Sequence, residues 1–327
     1  MTANRTVERL STVGLWFGGA PVGNLYRAID DATAHAAVQA AWDGGVRYFD
    51  TAPHYGLGLS ERRLGAVLRD KPRDEFLLST KVGRLIRPAS APQEQDDEGF
   101  AVPGDQMRVR DYSADGVRRS LEESLERMGL DRFDIVFIHD PDDHWQEAVE
   151  GSVPELERMR SEGIIGAWGA GMNQWEMLHR FVTETDIDVI MLAGRYTLLD
   201  QSAREDLIPA CAQRGVGIVD VGVYNSGILA NPDPSVHATF NYAPAEQEVL
   251  ERAQSLAALC TEWGTTLPAA AIAFVQRDPA ITNVTLGMRT PEQVASNLAH
   301  VSAEFPEGFW GAAVERGLIA VDPATLG

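Results

Sequence analysis

The stretch VRRSLEESLERMGLDRFDIVFIH, Val117–His139, carries the architecture in miniature. Val117, Leu121, Leu125 and Met128 recur at helical spacing, with Arg118, Arg119, Glu122, Glu123 and Glu126 on the opposite face. That pattern predicts an amphipathic helix, and Gly129 is a natural stop. The strand-like run Phe133 to Ile138 follows, apolar on consecutive residues from Ile135 onward. A strand that is apolar on both faces is one buried on both faces, as in a parallel sheet covered by helices. The unit is therefore helix, glycine turn, buried strand.

The same unit recurs along the chain. Strand-like runs are Arg47 to Phe49, Phe76 to Thr80, Ala167 to Ala170, Val189 to Leu192, Val216 to Val221 and Thr282 to Leu286. Helical segments separate them, and Gly44-Gly45, Gly163 and Gly215 stand just ahead of strands. With a first strand at Trp16 to Gly19 there are eight βα units, which close naturally into a (β/α)8 TIM barrel. Val7 to Leu15, with a Ser11-Thr12 turn, is expected to form an N-terminal β-hairpin across the barrel bottom. A doubly wound sheet is the competing fold, but Gly14, Gly18, Gly19 and Gly23 lack the Gly-x-Gly-x-x-Gly spacing it would use. No linker divides residues 1–327, so one domain is expected. Two long loops, Gly83 to Ser113 and Gly222 to Pro244, follow strands and belong to the C-terminal face, where barrels build their sites.

The charge, 28 − 48 = −20, leaves no clustered basic face for nucleic acid or an anionic membrane. No apolar run approaches a spanning helix and no signal core precedes Leu10, so a cytoplasmic protein is expected. Cys211 and Cys260 lack metal spacing and read as buried thiols. Without a His-x-His after an early strand, no metal is expected. Only two lysines occur, Lys71 and Lys81. Lys71 sits in a polar turn, whereas Lys81 ends an apolar strand and asks for a reason.

On a barrel, polar residues at C-terminal strand ends are catalytic candidates. Asp50, Tyr55, Lys81 and His139 fill that description on neighbouring strands. Together they suit proton transfer to a carbonyl oxygen. A tyrosine is a poor acid or base at neutral pH, and an adjacent ammonium is expected to lower its pKa. Asp50 would hold Lys81, and His139 would meet the substrate oxygen.

These residues also carry a resemblance. Arg47 to Gly56 followed by Ser60 to Gly65, then Ser79 to Gly83, Ile138 to Pro141, and Gly287 to Gln293 with Asn297, resemble the motifs of the aldo-keto reductases in the family's order. The resemblance implies an (α/β)8 barrel that binds an extended nicotinamide dinucleotide without metal. It implies Tyr55 as general acid/base, tuned by Lys81 and Asp50, with His139 at the substrate oxygen. Asn173 would bond the nicotinamide carboxamide, and Asp50 would also touch the cofactor. Gly222, Val223, Asn225, Gly227 and Leu229 would cover the pyrophosphate. Gly287, Arg289, Gln293 and Asn297 would hold the adenosine end. Gly171, Ala193 and Val221 stand where the family usually carries serine, glutamine and tyrosine, so the nicotinamide pocket is atypical. The segments around Tyr26, Ala52 to Gly58, Ala193 to Leu199 and Tyr224 to Gly227 look like the branch of that family holding L-fucose, D-threo-aldose and pyridoxal dehydrogenases.

The resemblance thus implies an NAD(P)-dependent oxidoreductase oxidising an aldose such as L-fucose or a D-threo-aldose to its lactone. Pyridoxal oxidation and general aldehyde or ketone reduction are the alternatives, and a cofactor-sensing interaction protein is a further one. NAD is slightly favoured over NADP, because Met288 and Thr290 flank Arg289 and no second basic residue adjoins it. The partner is a small sugar or aldehyde, lined by Tyr26, His54, Tyr55, His139 and Asp140. Trp168 and Trp175 read as packing residues.

Overall fold

The computed structural model describes residues 4–11, 15–235 and 237–325. Eight short parallel strands close into a barrel: β1 Trp16–Gly18, β2 Tyr48–Asp50, β3 Leu77–Val82, β4 Ile135–His139, β5 Ala167–Met172, β6 Val189–Ala193, β7 Gly217–Val221 and β8 Asn283–Gly287. Each strand pairs with its neighbours in chain order, and closure comes from β1, where Phe17 faces Phe49 on β2 and Trp16 faces Thr285 on β8. Helices follow the strands and bury their apolar stripes against the barrel wall. The helix Ala114–Met128 shows why the local sequence folds as it does. The Ser113 side chain accepts from the Gly116 N–H at its start, and Gly129 ends it with φ +66°. Val117, Leu121 and Met128 face inward and are buried.

Strand alternation sorts the barrel into rows. Outward residues such as Phe49, Leu78, Val136, Trp168 and Ile218 join the core beneath the helices. Inward residues Trp16, Tyr48, Leu77, Ile135, Phe137, Ala167, Val189, Met191 and Val219 pack into a separate apolar plug. Trp168 is wholly buried core, and both cysteines are buried free thiols. No single helix among the described residues is long and apolar enough to cross a membrane.

Two elements differ from the sequence reading. The N-terminal segment is a helix, Arg5–Ser11, and not the expected hairpin; Thr12 to Gly14 lie outside the described residues. The Asn4 side-chain Oδ1 accepts from the Thr6 N–H at the helix start. Leu10 then inserts fully into the inward plug, and its carbonyl accepts from Asn283 at the start of β8. The Asn4 amide donates to Gly166 and Asp188, ahead of β5 and β6, so the helix seals the strands' N-terminal end. The second difference is the stretch Gly83 to Ser113, which is not a loop alone. Arg84–Gln93 and Gly104–Arg110 form an antiparallel hairpin over the barrel's other end, with a register shift between Pro88 and Gln93 that absorbs its prolines.

Candidate active site

Asp50 ends β2 two residues beyond Tyr48, so both side chains enter the barrel from one row. Ser79 and Lys81 alternate in the same way on β3. The Lys81 ammonium donates to Asp50 Oδ2 at 2.6 Å and to the Thr51 carbonyl at 3.1 Å. Ser79 donates to Asp50 Oδ1 at 2.6 Å and in turn bonds the Tyr48 hydroxyl. Both carboxylate oxygens are thus occupied. The pair is 2% and 4% exposed, deep enough that neither charge is tolerable alone. Burial raises the Asp50 carboxyl above its ordinary value, while Lys81 and Ser79 pull it back. Burial pulls Lys81 down, but Asp50 and Tyr55 hold its proton more strongly, and its pKa ends raised.

Tyr55 lies on the loop after β2. Gly23 and Gly56 make this loop possible: a Cβ on Gly23 would meet the Tyr55 carbonyl at 2.8 Å, and one on Gly56 would meet the Gly23 oxygen at 2.1 Å. The close backbone contact pins Tyr55 over the barrel, with the Lys81 ammonium 4.7 Å from its ring centre. Lys81 acts in the expected direction on the phenol, but burial acts more strongly. The hydroxyl is pushed up to about 12, not lowered as the sequence reading expected.

His139 ends β4, its ring 5.9 Å from that of Tyr55 and 5.4 Å from that of His54. Burial, reinforced by Arg84, lowers His54 to about 2 and holds His139 well below its ordinary value. Both imidazoles are therefore neutral donor–acceptor groups. His54 turns into the site, and only 16% of its side chain is exposed.

Tyr55, Lys81, His54, His139, Asp140 and Tyr26 line one chamber of about 680 Å³. Gly171, Ala193 and Val221 also line it, so the three small or aliphatic replacements leave that wall open. Arg84, Glu98 and Phe100 from the hairpin and Tyr242 from the far loop complete it. Sequence reading did not single these out. The only signal was position, since Arg84 directly follows Gly83 at the end of β3.

Through Tyr26, Asn173, Ala193, Gly222 and Tyr242 the chamber opens into a groove of about 360 Å³. Gly222, Val223, Asn225, Gly227, Gly287, Arg289 and Gln293 line that groove. Asn225, Ser226 and Gly227 are consecutively left-handed, a turn held by Asn225 bonding Gly194 and Thr197. Gln293 and Gly287 continue into a last recess of about 160 Å³ with Asn297, whose side chain accepts from Tyr224. Asn173 bonds the Ala193 carbonyl at the junction. Leu229 is a correction: its side chain is wholly buried in the core and lines none of these spaces, because an apolar side chain on this turn packs inward.

The groove fits an extended dinucleotide. Arg289 keeps one buried guanidinium nitrogen without a partner, an opening for an anionic or aromatic group. A second correction concerns its surroundings. Burial and then the nearby charge of Arg27 lower the Arg289 pKa, so the fold brings a basic residue close that its sequence neighbours do not provide.

Comparison with known proteins gives the family and the fold. The model of the aldo/keto reductase family matches residues 14–315. The chain is 45% identical over 314 residues to a D-threo-aldose 1-dehydrogenase from Pseudomonas sp, covering 95% of each chain. It is 37% identical over 329 residues to a pyridoxal 4-dehydrogenase from Microbacterium luteolum, covering 95% of this chain and 96% of that one. The fold matches that of a glycerol dehydrogenase from Gluconobacter oxydans with a TM-score of 0.74 at 23% identity, over 94% and 92% of the two chains. The chain belongs to the aldo/keto reductase family and is an oxidoreductase.

Proposed function

We propose that this protein oxidises the hemiacetal of an aldose to the corresponding lactone, with NAD or NADP as the oxidant. The observation that carries the reading is the buried Asp50–Lys81 pair, whose Lys81 lines, together with Tyr55 and His139, the chamber that opens onto the groove. The 45% identical relative named for D-threo-aldoses supports the substrate class.

A bound nicotinamide dinucleotide would supply the hydride acceptor, held by Asn173, the Gly222–Gly227 turn, Arg289, Gln293 and Asn297. The chain's own groups handle the proton. Neutral His139 accepts or donates one hydrogen bond to the anomeric oxygen and orients it. The Tyr55 oxygen takes the hydroxyl proton as the C–H bond breaks and the carbonyl forms. Lys81 stabilises the phenolate form of Tyr55 that this step consumes, and Asp50 keeps Lys81 in place and charged. Arg289 stacking on adenine suits NAD, whereas Arg289 with Arg27 nearby suits a 2′-phosphate. Pyridoxal is the second reading, favoured by the 37% identical relative and by the Phe100 and His54 rings on the chamber wall, 5.1 Å apart.

The test is a matrix of NAD and NADP against L-fucose, related aldoses and pyridoxal, read as reduced-cofactor absorbance. Aldose turnover with one dinucleotide is expected. Turnover of pyridoxal alone would replace the aldose reading with the second one. Tyr55→Phe should keep dinucleotide affinity and lose about 10²- to 10⁴-fold in kcat; undiminished kcat would remove Tyr55 from its role.

A further inference from the structure

Asp140 follows His139 directly and is held at φ +42°, a left-handed conformation uncommon outside glycine. Three groups hold it there. The Tyr112 hydroxyl donates to the carbonyls of His139 and Asp140, at 2.8 and 2.9 Å. The Asp140 N–H donates to the Gly171 carbonyl at 3.2 Å. Arg84 Nη2 donates to Asp140 Oδ2 at 2.6 Å. This arrangement keeps the carboxylate on the chamber wall, with 29% of the side chain exposed.

Oδ2 lies 3.5 Å from His139 Nε2, the imidazole read above as meeting the reacting oxygen. The neutral imidazole is no counter-ion for it. Arg84 makes the one side-chain hydrogen bond that Asp140 carries among the described residues, which leaves Oδ1 unengaged. A carboxylate only accepts hydrogen bonds, so its complement on a ligand is a hydroxyl. The vicinal oxygens of a sugar ring stand about one hydrogen-bond length apart. A ligand oxygen at His139 Nε2 therefore places the hydroxyl of the next carbon beside Asp140.

We propose that Asp140, anchored by Arg84, is a specificity-determining residue that selects substrates with a free hydroxyl on the carbon adjacent to the reacting one. The proposal rests on the aldose reading and narrows it: 2-hydroxy aldoses are accepted, and 2-deoxy aldoses and simple aldehydes are disfavoured. A substrate without that hydroxyl would cover Oδ1 from water without offering it a donor.

The experiment compares kcat/KM for L-fucose and 2-deoxy-L-fucose with wild type, Asp140→Gly, Asp140→Asn and Arg84→Gln. Glycine suits the left-handed backbone and asparagine tolerates it, so the Asp140 variants are expected to fold. Circular dichroism and dinucleotide affinity verify this for all three. Wild type should prefer L-fucose by about 10- to 100-fold, and the ratio should fall towards one in Asp140→Gly. Asp140→Asn should retain part of it, because the amide oxygen still accepts. Arg84→Gln should lower it by freeing the carboxylate. Turnover of both sugars at equal kcat/KM by wild type, or a preference that survives Asp140→Gly, overturns the proposal and leaves the aldose reading standing. If wild type turns over neither sugar, the same comparison is made on the related aldoses and their 2-deoxy counterparts, and turnover of no aldose overturns the aldose reading and the proposal with it.

Discussion

The two ends of the barrel are made from the same strands and the same inward rows, yet they have opposite characters. On β2 the row runs from Tyr48 to Asp50; on β3 from Leu77 through Ser79 to Lys81; on β4 from Ile135 through Phe137 to His139. Each begins apolar or aromatic at the sealed end and finishes titratable at the open one. The lower row is a packing device and the upper row a charge device. The difference teaches how a buried ion pair is tolerated: it stands on a dry, close-packed floor that fixes its geometry, with hydroxyls satisfying the remaining lone pairs.

That division can be broken from below. Phe137 is fully buried in the lower plug, and Phe137→Ala should cost about 3–5 kcal/mol of stability. Denaturant unfolding measures it, and kcat per folded molecule should remain near wild type. A large kcat loss at full folding would mean that floor and site are not separable. From above, Lys81→Arg should lower kcat/KM by about 100-fold, because a planar guanidinium does not replace the compact ammonium between Asp50 and Tyr55. Circular dichroism should show a folded protein, and activity within a few-fold of wild type would refute a specific need for lysine.

The smallest effect separates the ends by pH. His54 and His139 are held neutral in the folded protein and titrate near 6.5 when unfolded. Below pH 6.5 the unfolded chain therefore binds more protons, and stability falls as pH falls. The slope is up to about 1.4 kcal/mol per pH unit for each histidine, continuing towards about 2 for His54. Oxidation, by contrast, should rise with pH towards the Tyr55 value with no break near 6.5. A histidine-like inflection in the kcat profile would show that one of these rings charges in the working enzyme.

Much of this was legible in the chain because buried parallel strands leave an unambiguous trace. Phe133 to Ile138 has no polar face after Asp134, and the residue that follows it must be the strand end. Asp50, Lys81 and His139 could be found by that rule. The hairpin of Arg84–Gln93 and Gly104–Arg110 could not. It covers the mouth with one face in solvent, carries Pro88 and Pro92, and leaves Met107 and Val109 partly exposed. Its alternation therefore carries little burial signal, and Arg84, Glu98 and Phe100 were missed with it. The N-terminal helix was misread because Ser11-Thr12 suggested a turn, although Val7 and Leu10 already stood at helical spacing. Arg27 and Arg289 show a further limit. Their proximity depends on two loops meeting, which neither loop encodes alone.

The helix Arg5–Ser11 has one more consequence. With Leu10 plugging the base, the barrel is, among the described residues, a well closed below and open at the mouth. On the proposed mechanism, a proton taken up by Tyr55 would leave by the mouth through which substrate and dinucleotide would enter. Both together would stopper that mouth, tying the tyrosine's return to its starting state to product departure. Turnover would then be paced by traffic through that doorway.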